Sequence, residues 1–472
     1  KGHFPNLFFS SSYSIDPTFY LITTLPFYFL FGNSKGIAIM SNSVYFFMLL
    51  VSIYYIGKKI MNKETGLLAC FLVSMIPGVF GYSRVYHIPF ALMALTTASI
   101  CFLLYTDNFT NRKYSILFGI STGLLGLTKF TGAIYLIGPF IYFYYNAMVR
   151  QSNKYLKIKI INFLTSTLIC IFLLSIFYIF QTEQVWRNYS VSRNADLIFN
   201  WKSNANLDYL HLLMNSQLLP VFSVLFFMSL FFFLFFKMSY KWILLTWIVV
   251  PYSVLTLLWN ARESYMTIPC LPAMALIVSF IIVKFIFEKK VKFISILIIV
   301  FFSIFQFIFL SYENRDVAIK DSHLRRLAAG KRLKDEYQKL FQQIFPIVTS
   351  GKKDAKILFL SITNSGITME SLLHEVNMKN KLGLIVTNPL GCISGGGIKL
   401  DSLGIDKEYF LGSDFIISDS KTLHTSYPLV VRDDLKRLMD RFEEYKKYFL
   451  LVKETTLEDF SNLLIYKRLD AI

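Results

Sequence analysis

The sequence predicts a polytopic α-helical membrane protein with a small C-terminal α/β domain outside the membrane. Three observations carry that expectation. The chain of 472 residues is 54% hydrophobic and 17% aromatic, more apolar than a soluble domain that must cover its surface with polar groups. Ten uncharged apolar stretches fill its first two-thirds, most of them near the ~20 residues a helix needs to cross a bilayer. The loops between these stretches alternate between cation-rich and cation-poor.

The stretches lie near residues 37–57, 66–82, 88–106, 115–128, 130–148, 160–181, 217–236, 242–259, 264–283 and 293–311. They are continuous and lack a period of two, so helices are expected rather than strands. The 115–128 run is short and merges with the next around Thr128 and Lys129. A further apolar run at 17–35 is short and interrupted by Pro26. Counting it as a span would invert every later loop, so it reads as an interfacial or re-entrant helix on the outer face.

Orientation follows from the loops. GKKIMNKE, DNFTNRK, RQSNKYLKIK, KMSYK and KFIFEKKVK hold 15 Lys and Arg, and the opposite set holds 6. Positive charge is retained on the cytoplasmic side, so the first set is expected inside and both ends of this chain outside. The net charge of +18 sits largely in these loops, which makes nucleic acid a poor partner. The five cysteines form no CxxC pair and suit small core positions rather than a disulfide or metal framework.

After Ser311 the composition changes. Residues 312–345 are charged and suit a helix, and KILFLSI, LGLIVTN, DFIISDS, YFLLVKE and LLIYKRL follow as short β-rich runs with helical candidates MESLLHEV and DDLKRLMDRFEEYKK between them. The expected domains are therefore 1–311 in the membrane, with 1–36 forming the end of an outer loop plus the interfacial helix, and 312–472 as an extracytoplasmic α/β domain. GCISGGG near Gly391 fits no phosphate-loop pattern and reads as an ordinary loop.

On the outer side ionisable groups are sparse. Arg84 and His87 lie in SRVYHIP between two spans. A guanidinium can grip a lipid phosphate through paired hydrogen bonds; the plainer alternatives are snorkelling for Arg84 and a polar cap for His87. Lys129, in GLLGLTKFTGAIYL, has the most apolar setting of these cations and needs an anion or a route to water. Arg262 lies beside Glu263 and near Tyr265, suiting either a local ion pair or a second phosphate contact. Asp16 and His3 flank the outer apolar run, and Asp16 before Pro17 also suits a simple turn. The 182–216 loop adds Glu183, Asp196, Asp208 and His211 with Trp186 and Trp201, suited to a sugar surface or to interfacial anchoring.

Residues 1–285 resemble the GT-C membrane glycosyltransferases that use polyprenyl-phosphate sugars, the group that includes protein O-mannosyltransferases and the lipid A aminoarabinose transferase. The likeness is carried by SIDPTFYLITTLPFYFLF through VYHIPFALMAL, by GISTGLLGLTKFTG and by ARESYMTIPCLPAMAL. Where the family has a His- or Lys-Pro-Pro-Leu segment, this chain reads Asp16-Pro17-Thr18-Phe19, and His87 takes the place of a later Asp. Thr128-Lys129 keeps the family's Thr-Lys turn, while Arg262, Tyr265, Pro269 and Pro272 follow its Arg-Tyr-Pro segment loosely. The chain opens without Met at KGHFP, and the resemblance leads one to expect an upstream first span and a catalytic Asp before Lys1.

The resemblance implies transfer of a sugar from a polyprenyl-phosphate donor to a lipid, glycan or protein acceptor at the outer face of the cytoplasmic membrane, with inversion. Arg84, Lys129 and Arg262 would bind the donor phosphate. Asp16 and His87 would form a polar or metal site, for which a divalent ion such as Mg or Mn is possible, and Tyr265 would contact donor or acceptor. Two other classes fit the spans: a flippase for a lipid-linked glycan, and a non-catalytic membrane scaffold.

Overall fold

The computed structural model describes residues 19–32, 34–150, 155–178, 208–238, 240–258, 264–285, 289–312, 356–360, 385–387, 410–411, 413–419, 440–456 and 462–469. The chain divides into two compact units, Lys1–Trp186 with Asp196–Ala328, and Arg187–Ala195 with Ala329–Ile472.

The first unit is helical. In chain order it contains α1 (Phe19–Ile22), α2 (Leu25–Phe31), α3 (Lys35–Met40), α4 (Asn42–Ile60), α5 (Lys63–Met75), α6 (Pro77–Ser83), α7 (Ile88–Tyr105), α8 (Arg112–Thr128), α9 (Ala133–Tyr145), α10 (Leu156–Tyr178), α11 (Asp208–Leu212), α12 (Leu219–Phe235), α13 (Lys241–Leu258), α14 (Leu271–Phe285) and α15 (Lys289–Tyr312). Every apolar stretch of the sequence is therefore at least partly helical. Among the described residues, five helices are long and apolar enough to cross a membrane, or up to seven if two bent pairs each count as one span. This is a multi-pass membrane protein.

Local chemistry sets where these helices start and break. The side chain of Asn62 accepts from the Thr65 amide at 2.9 Å and so caps α5, and Asn111 caps α8 through the Tyr114 amide. An Asn side chain can supply the acceptor that the first turn lacks. Pro77 has no amide to donate, and its predecessor Ile76 is forced extended. The 66–82 run accordingly splits into α5 and α6 with a 67° bend. The expected 264–283 helix begins instead with a 3-10 turn, Ser264–Cys270, because Pro269 and Pro272 withhold donors; α14 starts only at Leu271. The loop expected over 182–216 also ends early: residues 208–218 are helical, with Tyr209 and Leu213 buried.

Burial separates core from periphery. The span Tyr265–Lys284 is 94% buried over its apolar window, and Ile88–Tyr105 is 83% buried. Both are apolar on every side, as central helices must be. The windows in Leu156–Ser175 and Phe293–Leu310 are only 17% buried, leaving side chains such as Leu168, Phe172, Phe301 and Phe305 exposed. Those faces suit lipid. Close crossings need glycine: a Cβ on Gly57 of α4 would lie 2.6 Å from the Gly66 Cα of α5.

On the side bearing the basic loops, Lys59 pairs with Asp107 at 2.7 Å. Asp107, Asn108 and Phe109 all have positive φ, between 47° and 62°. Asn162 of α10 holds that tight turn by donating to the Phe109 carbonyl at 2.8 Å, while the Phe109 ring is fully buried.

The second unit holds a five-stranded sheet in the order β2-β1-β3-β5-β4, with β1 (Lys356–Leu360), β2 (Ile385–Thr387), β3 (Phe415–Asp419), β4 (Phe449–Thr456) and β5 (Asn462–Arg468). All five β-rich runs are thus strands. β1 is parallel to β2 and β3, and β5 is antiparallel to β3 and β4. Ile357, Leu358, Ile416, Ile417 and Ile465 are buried on consecutive positions, the sign of a sheet covered on both faces. Of the two helical candidates, residues 440–445 are helical; MESLLHEV and GCISGGG lie outside the described residues.

Candidate functional site

The site is built where three chain segments meet. Lys129 caps the end of α8 in extended conformation, and residues 130–132 form one 3-10 turn before α9. His87 stands at the N-cap of α7, ahead of Pro89. Tyr265 opens the Ser264–Cys270 turn. The Lys129 ammonium lies 5.5 Å from the centre of the Tyr265 ring, and the His87 imidazole meets that ring edge to face at 5.2 Å. Lys129, His87 and Tyr265, separated by up to 178 residues in sequence, therefore form one cluster.

A cleft runs beside them, lined by Pro89, Leu92, Lys129, Thr131, Tyr135 and Met266 among others. Its walls are apolar apart from a few groups, and Lys129 supplies the positive charge. Side chains from three other elements hold the far wall. Tyr135 donates to the Met266 carbonyl at 2.5 Å, Trp247 Nε1 to the Pro269 carbonyl at 2.9 Å, and Gln217 Nε2 to Thr267 Oγ1 at 2.7 Å. These bonds satisfy groups that a 3-10 segment interrupted by proline would leave exposed in an apolar setting.

Arg84 takes a different place. Its guanidinium sits 5.5 Å from the Phe80 ring and 5.0 Å from the Phe307 ring on α15, within reach for cation–π attraction. Asp16 and Arg262 lie outside the described residues, as do His3, Glu183, Trp186, Asp196 and Trp201; His211 is exposed on α11. Among the described residues no group of three His, Cys, Asp or Glu stands close enough to hold a metal. The described donors by themselves do not make an ion site.

Sequence reasoning missed a second polar cluster around α1 and α2. The Tyr20 hydroxyl donates to Asn42 Oδ1 at 2.9 Å, and Asn42 Nδ2 donates to the Ser83 and Val85 carbonyls at 3.1 and 2.9 Å. Thr24 and Tyr86 share a hydrogen bond at 2.7 Å, and the Tyr20 and Tyr86 rings stack at 4.7 Å. This network pins the short apolar helices to the SRVYH loop. The available signal was Asn42 itself, a lone amide at the start of an apolar run.

The backbone arrangement can be compared with solved structures. ArnT from Cupriavidus metallidurans, bound to undecaprenyl phosphate, superposes with a TM-score of 0.58 at 10% identity, over 95% of this chain and 87% of its own. The archaeal oligosaccharyltransferase AglB from Archaeoglobus fulgidus, in complex with an inhibitory peptide and a dolichol-phosphate, gives 0.51 at 12% identity, over 97% and 67%. Both neighbours are GT-C glycosyltransferases.

This chain shares the fold of these two structures.

Residues 10–188 also match the family model of the dolichyl-phosphate-mannose-protein mannosyltransferases, a match that covers Arg84, His87 and Lys129 of the helical unit. Tyr265 lies beyond that match and reaches the cluster through the tertiary fold. No curated protein sequence matches the chain.

Proposed function

We propose that this protein is a membrane glycosyltransferase that moves a sugar from a polyprenyl-phosphate donor to a lipid, glycan or protein acceptor. The observation that carries the reading is the Lys129 ammonium at the wall of an apolar cleft, over Tyr265 and in reach of the His87 cluster, in a GT-C fold whose matched family is one of mannosyltransferases. The neighbours' ligands, undecaprenyl phosphate and dolichol-phosphate, are carriers of the proposed class.

The phosphate is the leaving group, so negative charge grows on it as the glycosidic bond breaks. A cation already fixed in a poorly hydrated site stabilises that charge more than water does. Lys129 fills this role, with Arg84 and Arg262 as further phosphate contacts. Tyr265 touches the donor or acceptor, and Asp16 and His87 form a polar site. A divalent ion would draw on Asp16 or other groups beyond the described residues. In-line displacement inverts the anomeric carbon. The apolar helix faces accept the polyprenyl tail. Ten spans, a membrane domain over 1–311 and an extracytoplasmic domain over 312–472 complete the proposal, with the site on the outer face of the cytoplasmic membrane.

The test is to incubate membranes containing the full chain with labelled polyprenyl-phosphate sugars and follow the label into lipid, glycan and protein fractions. Transfer by the wild type, lost in Lys129→Ala at normal expression, supports the reading. Wild-type turnover in both Lys129→Ala and Arg84→Ala refutes the phosphate assignment.

A further inference from the structure

Three helix ends meet on the face that bears the basic loops: the last turns of α4 and α7 and the first turn of α8. A ladder of tyrosine rings joins them. Tyr55 of α4 meets Tyr105 of α7 edge to face at 6.0 Å, and Tyr105 lies 5.3 Å from Tyr114 of α8. Each ring carries an ammonium. Lys58 lies 5.9 Å from the centre of the Tyr55 ring, Lys59 5.2 Å from that of Tyr105, and Lys113 6.0 Å from that of Tyr114. Asp107 pairs with Lys59 at 2.7 Å and offsets its charge. Lys58 and Lys113 are exposed, and neither makes an ion pair among the described residues.

Farther along α4 the outward face is apolar. Val44, Phe47, Val51 and Tyr55 are exposed at successive spacings of three, four and four residues, which places them in one stripe along the helix. Lys58 extends the stripe by three more. The segment Gly36–Ile60 is long and apolar enough to cross a membrane, so the stripe suits hydrocarbon and ends in a tyrosine and a lysine at the water boundary. That order matches a phospholipid read from tail to headgroup. A tyrosine ring belongs at headgroup level, and a lysine lays its stem on apolar surface while its ammonium reaches the phosphate. A dissolved phosphate would use the ammonium groups and leave the stripe idle.

We propose that the tyrosine ladder with Lys58 and Lys113 is a binding site for an anionic phospholipid, which sets its phosphodiester between the two ammonium groups and an acyl chain along the Val44–Tyr55 stripe. The site lies on the face of the basic loops, and it is independent of the glycosyl-transfer reading. Anionic lipid is drawn to basic segments at the membrane surface; here the rings hold two such cations at fixed positions on different helices, which turns a diffuse attraction into a site.

The test is native mass spectrometry of the full chain in detergent, titrated with phosphatidylglycerol, with phosphatidylcholine as the uncharged comparison. The variant Lys58→Gln with Lys113→Gln is set against Lys157→Gln with Lys237→Gln, which removes two exposed cations from other basic loops. The first pair is expected to weaken phosphatidylglycerol binding about tenfold and the second by less than about twofold. Tyr55→Leu keeps the stripe apolar and removes one ring, with an expected loss of about threefold. If the first pair does not fold, as judged by elution and melting, Lys113→Gln alone replaces it with an expected loss of about threefold. Equal weakening by the two pairs overturns the proposal in favour of diffuse charge, as does unchanged binding in the folded first pair. Equal affinity for phosphatidylcholine and phosphatidylglycerol overturns the role of the cations. Displacement of the lipid by millimolar inorganic phosphate overturns the role of the stripe.

Discussion

The Tyr135 hydroxyl donates to the Met266 carbonyl at 2.5 Å, across 131 residues of sequence. Tyr135 follows Lys129 by six positions, and Met266 follows Tyr265 by one. This single bond therefore ties together the two segments that present the lysine and the ring. Tyr135→Phe keeps the buried ring and removes only the donor. The expected cost is about 1 kcal/mol of stability, since the orphaned carbonyl stays buried. A lowered thermal midpoint in detergent, with transfer falling further than stability alone explains, is the expected result; unchanged values for both would remove the strut role.

Lys129→Ala removes the cleft's cation. Loss of one fixed charge-stabilising group typically costs about 10²–10³ in rate. Lys129→Arg keeps the charge but changes its shape and reach, so partial activity is expected there. Turnover of labelled donor is the measurement. The folding of both variants is checked by their elution and melting, because the substitution lies at a helix end rather than in the packed core.

Asn42 satisfies three partners at once: it accepts from Tyr20 and donates to the Ser83 and Val85 carbonyls. Asn42→Ala strands all three, with an expected loss of about 2–4 kcal/mol. Asn42→Asp is the sharper variant, since it replaces the Nδ2 that donates both bonds with a carboxylate oxygen aimed at two carbonyls. It is expected to be the less stable of the two in thermal unfolding. In a Val85→Cys background the SRVYH loop is then expected to become more accessible to cysteine labelling.

At the crossing of α4 and α5 there is room for hydrogen only. Gly57→Ala places a methyl 2.6 Å from the Gly66 Cα and 2.8 Å from its amide nitrogen. Backbone must move apart to admit it, at an expected cost of about 1–3 kcal/mol. Gly36→Ala meets nothing nearer than the Ser34 hydroxyl at 3.8 Å and serves as the control. Comparable melting of the two variants would show that the crossing is looser than these distances.

Arg84 sits against Phe80 and Phe307. Phe307→Leu keeps apolar bulk and removes one aromatic face, with an expected loss of about 0.5–1 kcal/mol. If Arg84 also binds donor phosphate, Phe307→Leu is expected to change the donor KM more than kcat, whereas a purely packing role leaves KM unmoved. Steady-state kinetics over a range of donor concentrations distinguishes the two.

Much of this was legible from residue order. Long apolar runs announced helices because a chain in hydrocarbon must satisfy its own backbone. The five β-rich runs announced the strands of the second unit. Lys129 and His87 stood out because ionisable groups are rare in such settings. Less legible were the breaks. The bend at Pro77 and the 3-10 opening at Ser264–Cys270 depend on proline, but whether a proline kinks, caps or ends a helix is decided by what packs against it. The span count was also beyond the sequence, since hydropathy alone does not distinguish a straight crossing from a bent pair.

The sequence by itself determined that this is a multi-pass helical protein and which few cations deserved notice, because these follow from local composition. Only the tertiary structure decided that Lys129, His87 and Tyr265 share one cluster while Arg84 rests on Phe80 and Phe307. It alone joined Tyr135 to Met266 and Tyr20 to Asn42. Such pairings arise between segments far apart in the chain, and their geometry is set by how helices cross, which no local pattern encodes.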